Sequence, residues 1–437
     1  MGCAAFVSIP FLLPVMGFTV ACVIGAAGGL LISSTFISWF FLKYITCTKW
    51  DPKQHTFQEK ACLGGRLYYR GDVPILELDG NNPYQAGQAH GYLMGKHIHV
   101  LKRNLDMLVG SLLRHPRAVD LPQTLANLKK QIPPAYLQEM AGLSEGYNRW
   151  AKEVNVATSM SADDVLLIHL IADSKHFQPK REERRSPIEA NALTGMACTT
   201  ILHRDPKNGP IAARTMDWCG FGEGGRDSYV VVYKPQNIAF LGVPGLIGPI
   251  TGWNQHGLAV ITNVAPGKTD TARGLPLLFY NRALLENNRT VREAEEWTKK
   301  VRPLGEYHLT LMDKRGEGEC ISLYQGPNGQ DYIRRLQDED PLLVVNWKYP
   351  ERQKGYFNSK KRTELLTRYF QNAVRTIPPE QIEWNKLVEN ALELTPLVNS
   401  YITLHRVLFY PEKVVLSFND GYAASSPKHT LAMNEVF

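Results

Sequence analysis

Cys198, Arg214 and Asp217 share one short stretch: Cys198-Thr-Thr-Ile-Leu-His-Arg-Asp-Pro-Lys-Asn-Gly-Pro-Ile-Ala-Ala-Arg214-Thr-Met-Asp217-Trp. These residue types suit nucleophilic chemistry. A thiol is a weak nucleophile until it is deprotonated; a guanidinium lowers its pKa, and a positioned base takes its proton. No histidine stands at an obvious partner spacing. A cut between Ala197 and Cys198 would release an α-amine, whose ordinary pKa of about 8 suits a base. An N-terminal nucleophile that uses its own amine is an established variant of triad logic. Asp217 would then hold the ammonium.

The stretch predicts its own scaffold. Thr199 to His203 is β-prone, Asp205-Pro-Lys-Asn-Gly209 carries turn chemistry, and Pro210 to Met216 returns as a strand. A hairpin of this kind brings Arg214 and Asp217 back beside Cys198.

The segment resembles the N-terminal-nucleophile (Ntn) amidases of the choloylglycine hydrolase, acid ceramidase and N-acylethanolamine acid amidase type. It also resembles the autoproteolytic acyltransferases of the penicillin (isopenicillin N) acyltransferase kind. Their mature subunits begin Cys-Thr-Ser-Ile and carry an Arg-Asn-Met-Asp run at the same spacing. Here the third residue is Thr200 and the run is Arg214-Thr-Met-Asp217. The resemblance implies an αββα sandwich, no cofactor and no metal, and two chains that stay associated after the cut.

The remaining candidates follow from what an amidase needs. A tetrahedral intermediate requires fixed donors for its oxyanion, and side-chain amides supply them without adding charge. Gly252-Trp-Asn-Gln-His-Gly257-Leu258 reads as a turn before a strand that ends at Asn263, the candidate oxyanion donor. A similar Gly-x-Asn-x-x-Gly-Leu turn occurs in bile-salt hydrolases. Leu342 to Trp347 is another strand ending in an amide, Asn346. It is similar to the Thr-Asn-Tyr segment of acid ceramidases and would orient the α-amine or bind the substrate carbonyl. Ser359-Lys-Lys-Arg362 resembles the Ser-x-x-Arg element of the superfamily, whose arginine braces the site; Arg352 is the rival position. Gly220, Gly222, Gly224 and Gly225 read as a loop, since no Lys-Ser/Thr follows as a phosphate-binding loop needs.

The elements that must position these residues fall into two halves. Residues 51–197 read as a mostly helical pro-region. A β start at 66–78 is followed by helices from Asn82 through about Leu113 and over 122–131, 134–153 and 161–174, the last with a Ser161 cap. Its Gly-x-x-x-Gly segment resembles the pro-region of the penicillin-acyltransferase-like family. His90, His97 and His99 suggest a metal at first sight, but the last two are two apart and point to different helix faces. Pro179 to Pro187 is a charged linker just upstream of the expected cut. Residues 198–437 turn β-rich, with strands at 229–234, 238–243, 258–263, 307–313, 319–325 and 342–346, and helices at 277–286, 290–300 and 359–370. The fold class is α+β, with sheet packed on sheet between helices.

The N-terminus is of another kind. No charged residue or histidine occurs from Met1 to Leu42. As one helix the apolar run 4–42 would be about 58 Å long, against a hydrocarbon core of about 30 Å. Residues 1–50 therefore read as a membrane anchor, one transmembrane span or a helical hairpin, with Gly25 to Gly29 as break or packing face. A cleavable signal peptide fits less well, because no basic n-region precedes the run. Lys43, Lys49 and Lys53 follow it and, by the positive-inside rule, favour a cytoplasmic start to the soluble part, though so few charges, diluted by Asp51, leave sidedness open. A net charge of +7 on 437 residues, with no aromatic-interleaved basic stripe, argues against nucleic acid. Seven scattered cysteines form no CxxC or metal spacing. Asn288-Arg-Thr is a lone glycosylation sequon.

The reading is a membrane-tethered precursor that cuts itself before Cys198 and cleaves linear amides of N-acyl lipids or N-acyl amino compounds through a thioester. Acyl transfer to an amine uses the same residues. An inactive membrane scaffold of the same fold needs none of them, and a papain-like pairing with His308 is a further alternative.

Overall fold

The structure, a computed structural model, describes residues 57–102, 121–170, 172–173, 197–218, 227–265, 274–324, 330–350, 358–399, 403–418 and 428–437. The expected membrane anchor, the charged linker 179–187, the glycine loop 220–225 and Arg352 lie outside the described residues. Among the described residues, no helix is long and apolar enough to cross a membrane.

Among the described residues, the first half supplies strands β1 (Lys60–Cys62), β2 (Gly65–Arg70) and β3 (Val73–Asp79) and a set of helices. These are α1 (Pro83–Leu93), α2 (Leu121–Lys129), α3 (Pro134–Glu153) and α4 (Ala162–His169). Helix α1 ends at a turn at Met94, with helical residues resuming at 95–102, so the long helix expected from Asn82 is broken. Helix α4 stops at His169, short of the expected 174. Its capping box is present: the Ser161 hydroxyl accepts from Asp164 N, and the Asp164 carboxylate accepts from Ser161 N.

The second half begins with the hairpin of β4 (Ala197–Asp205) and β5 (Gly209–Asp217). The Asp205 carboxylate accepts from Lys207 N at 2.9 Å and Asn208 Nδ2 at 2.6 Å, and Gly209 takes a φ of +81°. Strands β6 (Tyr229–Lys234), β7 (Ile238–Gly242), β8 (Thr251–Asn254) and β9 (Ala259–Val264) follow. Helices α5 (Leu277–Asn287) and α6 (Val291–Lys300) precede β10 (Tyr307–Met312), β11 (Gly318–Leu323), β12 (Tyr332–Arg335) and β13 (Leu342–Val344). The chain closes with α7 (Ser359–Thr376), α8 (Trp384–Ala391), β14 (Thr403–Phe409), β15 (Lys413–Phe418), β16 (His429–Ala432) and α9 (Met433–Val436). Residues 252–254 are strand β8 and not part of the turn expected there; the turn is confined to the four residues before β9.

Two sheets form. One has the order β1-β2-β3-β6-β7-β8-β9-β10-β11-β12, the other β13-β4-β5-β14-β15-β16. Strand β3 pairs with β6 in parallel, so strands from both halves of the chain build one sheet. The sheets pack face to face through Ile75, Val230 and Trp253 on one side and Leu202, Val407 and Leu416 on the other. Helices α1, α3 and α5 cover the outer face of the larger sheet, and α7 and α8 cover that of the smaller. The layers run helix, sheet, sheet, helix, as sheets with two apolar faces require.

Helices α1 and α3 meet backbone to backbone. A Cβ added to Gly87 or Gly91 would lie 2.0 and 2.1 Å from the carbonyl oxygens of Glu139 and Leu143. One on Gly142 or Gly146 would lie 2.0 and 2.1 Å from those of Tyr84 and Gln88. The Gly-x-x-x-Gly segment of the first half is thus answered by a second one in α3, and glycine is needed at these positions for close approach alone.

Candidate active site

The hairpin register decides which side chains meet. Cys198 pairs with Met216 and Thr200 with Arg214, so these four share one face of the sheet. Arg214 Nη2 donates to Cys198 Sγ at 2.8 Å. Its Nη1 donates to Thr251 Oγ1 at 2.5 Å and Ile250 O at 3.4 Å. Both residues are fully buried. Burial raises the Cys198 thiol pKa, and the Arg214 charge pulls it back. The same burial lowers that of Arg214, which the facing sulfur opposes. Short of deprotonation, the thiol faces a buried cation.

Asp217 pairs with Ala197 and so lies on the other face from the Cys198 side chain, toward α7. The expected hairpin places it beside the chain at the cut, not beside the sulfur. Its Oδ1 accepts from Thr403 Oγ1 at 2.6 Å. Burial pushes its pKa up to about 6 despite the nearby Arg362 and Arg214. No salt bridge to it forms among the described residues.

Asn263, Asn346 and Arg362 converge on the same two residues. Asn346 Oδ1 accepts from Cys198 N at 2.9 Å and from Arg362 Nη2 at 2.8 Å. Its Nδ2 donates to Val264 O at 2.8 Å, which fixes the amide orientation. Arg362 Nη1 donates to Cys198 O at 2.6 Å and Thr199 Oγ1 at 3.0 Å. Asn263 Nδ2 donates to Val344 O at 3.1 Å and Cys198 O at 3.4 Å, and its Oδ1 accepts from Thr200 Oγ1 at 2.9 Å. All three side chains are buried. The five partners expected from the sequence therefore surround Cys198: one holds the sulfur, one the backbone N–H, two the carbonyl, and Asp217 faces the preceding residue.

The other candidates are committed elsewhere. His308 gives one ring nitrogen to Ser322 Oγ (2.9 Å) and the other to Trp347 O (2.6 Å), so it offers no base to the thiol. His90 meets Tyr229, His97 meets Asp227 and His99 meets Tyr147, three separate partners. Asn288 of the sequon is buried, its amide donating to Leu284 O.

Thr251 and Thr403 are unforeseen members of the site; a threonine opposite a strand-end charge leaves no signal in sequence. His405 is another. It pairs with Met216 on the face that carries Cys198, and burial with the nearby Arg214 charge holds its pKa well below the usual range. A longer support was also missed. The segment 243–250, which presents Ile250 O to Arg214, is fastened from behind. Arg282 Nη1 donates to Ile247 O at 2.9 Å, and Ile247 N donates to His169 Nε2 at 2.9 Å. Arg282 also pairs with buried Glu139 at 2.7 Å and lies 4.0 Å from the Tyr233 ring and 4.6 Å from that of Tyr136. His169 donates from Nδ1 to Val165 O, a neutral tautomer consistent with burial lowering its pKa to about 4. The first half of the chain thereby reaches the arginine that faces the thiol.

Comparison with known proteins adds the following. Residues 204–357 match the family model described as acyl-coenzyme A:6-aminopenicillanic acid acyl-transferase. No curated protein matches the chain by sequence. Among solved structures, the chain is similar to a Caenorhabditis elegans N-acylethanolamine-hydrolyzing acid amidase ortholog, at 15% identity and a TM-score of 0.39, covering 49% of this chain and 93% of that one. It is also similar to a mutant conjugated bile acid hydrolase from Clostridium perfringens, at 13% identity and a TM-score of 0.38, covering 55% and 93%. The family match spans Arg214, Asp217, Asn263 and Asn346, and it supports the chain's resemblance to the Ntn-hydrolase superfamily.

Proposed function

We propose that this chain is an Ntn cysteine amidohydrolase that cuts itself between Ala197 and Cys198 and then cleaves linear amides. The observation that carries the reading is the set of contacts on Cys198: a guanidinium on its sulfur, an amide oxygen on its N–H and donors on its carbonyl. The site carries one uncompensated positive charge. Arg214 and Arg362 bring two positive charges and Asp217 one negative, so a thiolate at Cys198 neutralises the group. In the uncut chain Asp217 is buried with no bonded cation among the described residues, and a new ammonium at Cys198 would supply one.

The chemistry runs in two stages. In the first, Cys198 Sγ attacks the Ala197 carbonyl, the acyl group passes from nitrogen to sulfur, and water releases it, leaving a free α-amine. In the second, the α-amine takes the thiol proton as the sulfur attacks the substrate carbonyl. Asn263 Nδ2 exchanges its long 3.4 Å bond to Cys198 O for the developing oxyanion. The ammonium returns its proton to the leaving amine, and water hydrolyses the thioester. Arg214 steadies the thiolate, Asn346 and Asp217 hold the amine, and Arg362 braces the Cys198 carbonyl. No cofactor enters. Residues 1–50 would tether the enzyme at a bilayer, where amphiphilic N-acyl lipids reach it. The acyl-transferase family match favours one second reading, in which an amine replaces water at the thioester.

Intact mass and N-terminal sequencing of wild type beside Cys198→Ala test the proposal. A chain beginning at Cys198, absent in the variant, supports it; a single uncut chain at neutral and mildly acidic pH refutes it. Turnover of N-acyl lipids with and without an added amine then separates hydrolysis from transfer.

A further inference from the structure

At the end of the larger sheet away from Cys198, three turns enclose a cavity of about 220 Å³ lined by His256, Arg289, Thr290, Asp313, Lys314 and Arg315. Arg204, near the far end of β4, donates to Gly316 O of one of these turns at 2.9 Å. The six residues from Cys198 to Arg204 span about 20 Å of strand, so the cavity is separate from the thiol site.

The turns are fastened together by two buried side chains, Asn254 and Asp313. Asn254 Oδ1 accepts from His256 N at 3.1 Å and Leu258 N at 3.2 Å. Its Nδ2 donates to Leu285 O at 2.9 Å and Asn288 O at 2.7 Å, tying the β8–β9 turn to the corner that carries Arg289. Asp313 accepts from Arg315 N at 2.9 Å and Glu317 N at 3.4 Å within its own turn, and from Val291 N at 3.1 Å at the start of α6. The stem of Lys314 lies over Gly257: a Cβ there would be 3.0 Å from its Cβ and 3.3 Å from its Cγ.

The neighbouring acids are likewise engaged. Asp313 is taken by the three backbone groups, Glu293 accepts from Arg289 N at 2.7 Å, and Glu317 pairs with Arg292 at 2.8 Å. Among the described residues, the side chains of Arg289, Lys314 and Arg315 have no carboxylate partner. His256 feels them: burial, then Arg289 and Lys314, lower its pKa. Like charges gathered in a preformed concavity repel unless an anion completes the site.

We propose that this cavity binds a phosphate group, as inorganic phosphate or the terminal phosphate of a small phosphomonoester. Two guanidinium groups match tetrahedral oxyanions in fork geometry, and Lys314 adds a point charge. The volume leaves room for the anion and several waters, each needing ~30 Å³. Thr290 Oγ1, which accepts from Glu293 N at 3.3 Å, retains a hydroxyl proton to donate.

Calorimetric titration of the full-length protein with inorganic phosphate and with glycerol 3-phosphate, at constant ionic strength against chloride, tests this. Saturable binding of either supports the site, and the tighter of the two identifies the ligand form. Arg289→Ala and Lys314→Ala change exposed side chains and leave the fold intact; each should weaken binding about tenfold, one charge-assisted bond. Proton NMR locates the ligand: phosphate should move the His256 titration upward, with the resonance assigned through His256→Gln. No saturable binding of either anion, or binding unchanged in the double variant Arg289→Ala/Lys314→Ala, overturns the proposal.

Discussion

Arg282→Met removes the cation that joins the two halves of the chain behind Arg214. Glu139 would lose its pairing at 2.7 Å and Glu286 its bond from Arg282 Nε at 2.8 Å. Ile247 O would lose its donor, and the Tyr136 and Tyr233 rings the guanidinium between them. Glu139 already has its pKa raised by burial, against the pull of Arg282; with the Tyr233 hydroxyl still donating to it but no cation, it must take a proton or stay buried as an unpaired charge. Breaking one side of a buried pair costs about 3–5 kcal/mol, a large share of the ~5–15 kcal/mol that holds a domain folded. Replacing both partners is milder. Glu139→Leu/Arg282→Met leaves no buried charge and forfeits hydrogen bonds worth about 1–3 kcal/mol. Urea unfolding in a Cys198→Ala background, which keeps the chain whole, measures both. The double variant should be more stable than the Arg282→Met single. If Arg282→Met costs under about 1 kcal/mol, or the double costs as much as the Arg282→Met and Glu139→Leu singles added, the pairing is not what fastens the halves. Hydrogen exchange at Ile247 N should accelerate in the single variant.

Asp217 gives a pH test. Its folded pKa of about 6 lies above its ordinary 3.8, so the uncut fold binds the extra proton and loses stability as pH rises through that window. In the Cys198→Ala chain, Asp217→Asn should therefore stabilise by about 3 kcal/mol above pH ~6 and by nothing below pH ~4, read from unfolding curves at each pH; a gain independent of pH refutes it. Arg214→Met removes a charge whose attraction for a thiolate is about 4 kcal/mol at an effective dielectric of ~20. Appearance of the chain starting at Cys198 should slow at least about a hundredfold, with Arg214→Lys intermediate; unchanged processing would show that Arg214 does not steady the sulfur. Gly142→Ala drives a methyl to 2.0 Å from Tyr84 O and should cost about 1–3 kcal/mol in urea unfolding; a neutral effect would mean that α1 and α3 can part freely.

The hairpin was legible because its turn residues and gapless spacing are local, and its register then delivers Arg214 to the sulfur. Asn263 and Asn346 were legible as amides closing apolar strands. Asp217 was found, but its face was not, since the side taken by each residue depends on register rather than spacing. Strands β14 to β16 went unread. Thr403–Phe409 is buried on both faces near the middle of the smaller sheet, so His405 and Arg406 interrupt any alternation. The Glu139–Arg282 pair leaves no trace either. Each is a charge on a helix that reads as solvent-facing, and 143 residues separate them. The cationic cavity likewise needs three turns brought together by Asn254 and Asp313.

The parallel pairing of β3 with β6 bears on how this protein can be produced. A gene encoding only residues 198–437 would make a polypeptide whose larger sheet begins at β6, every residue of which except Lys234 is buried in the intact fold. That strand would present an open, apolar edge to solvent, the arrangement that recruits other chains into aggregates. Recombinant work on the catalytic segment therefore calls for residues 57–197 to be supplied during folding, on the same transcript or a second one, with inclusion bodies as the outcome when they are omitted.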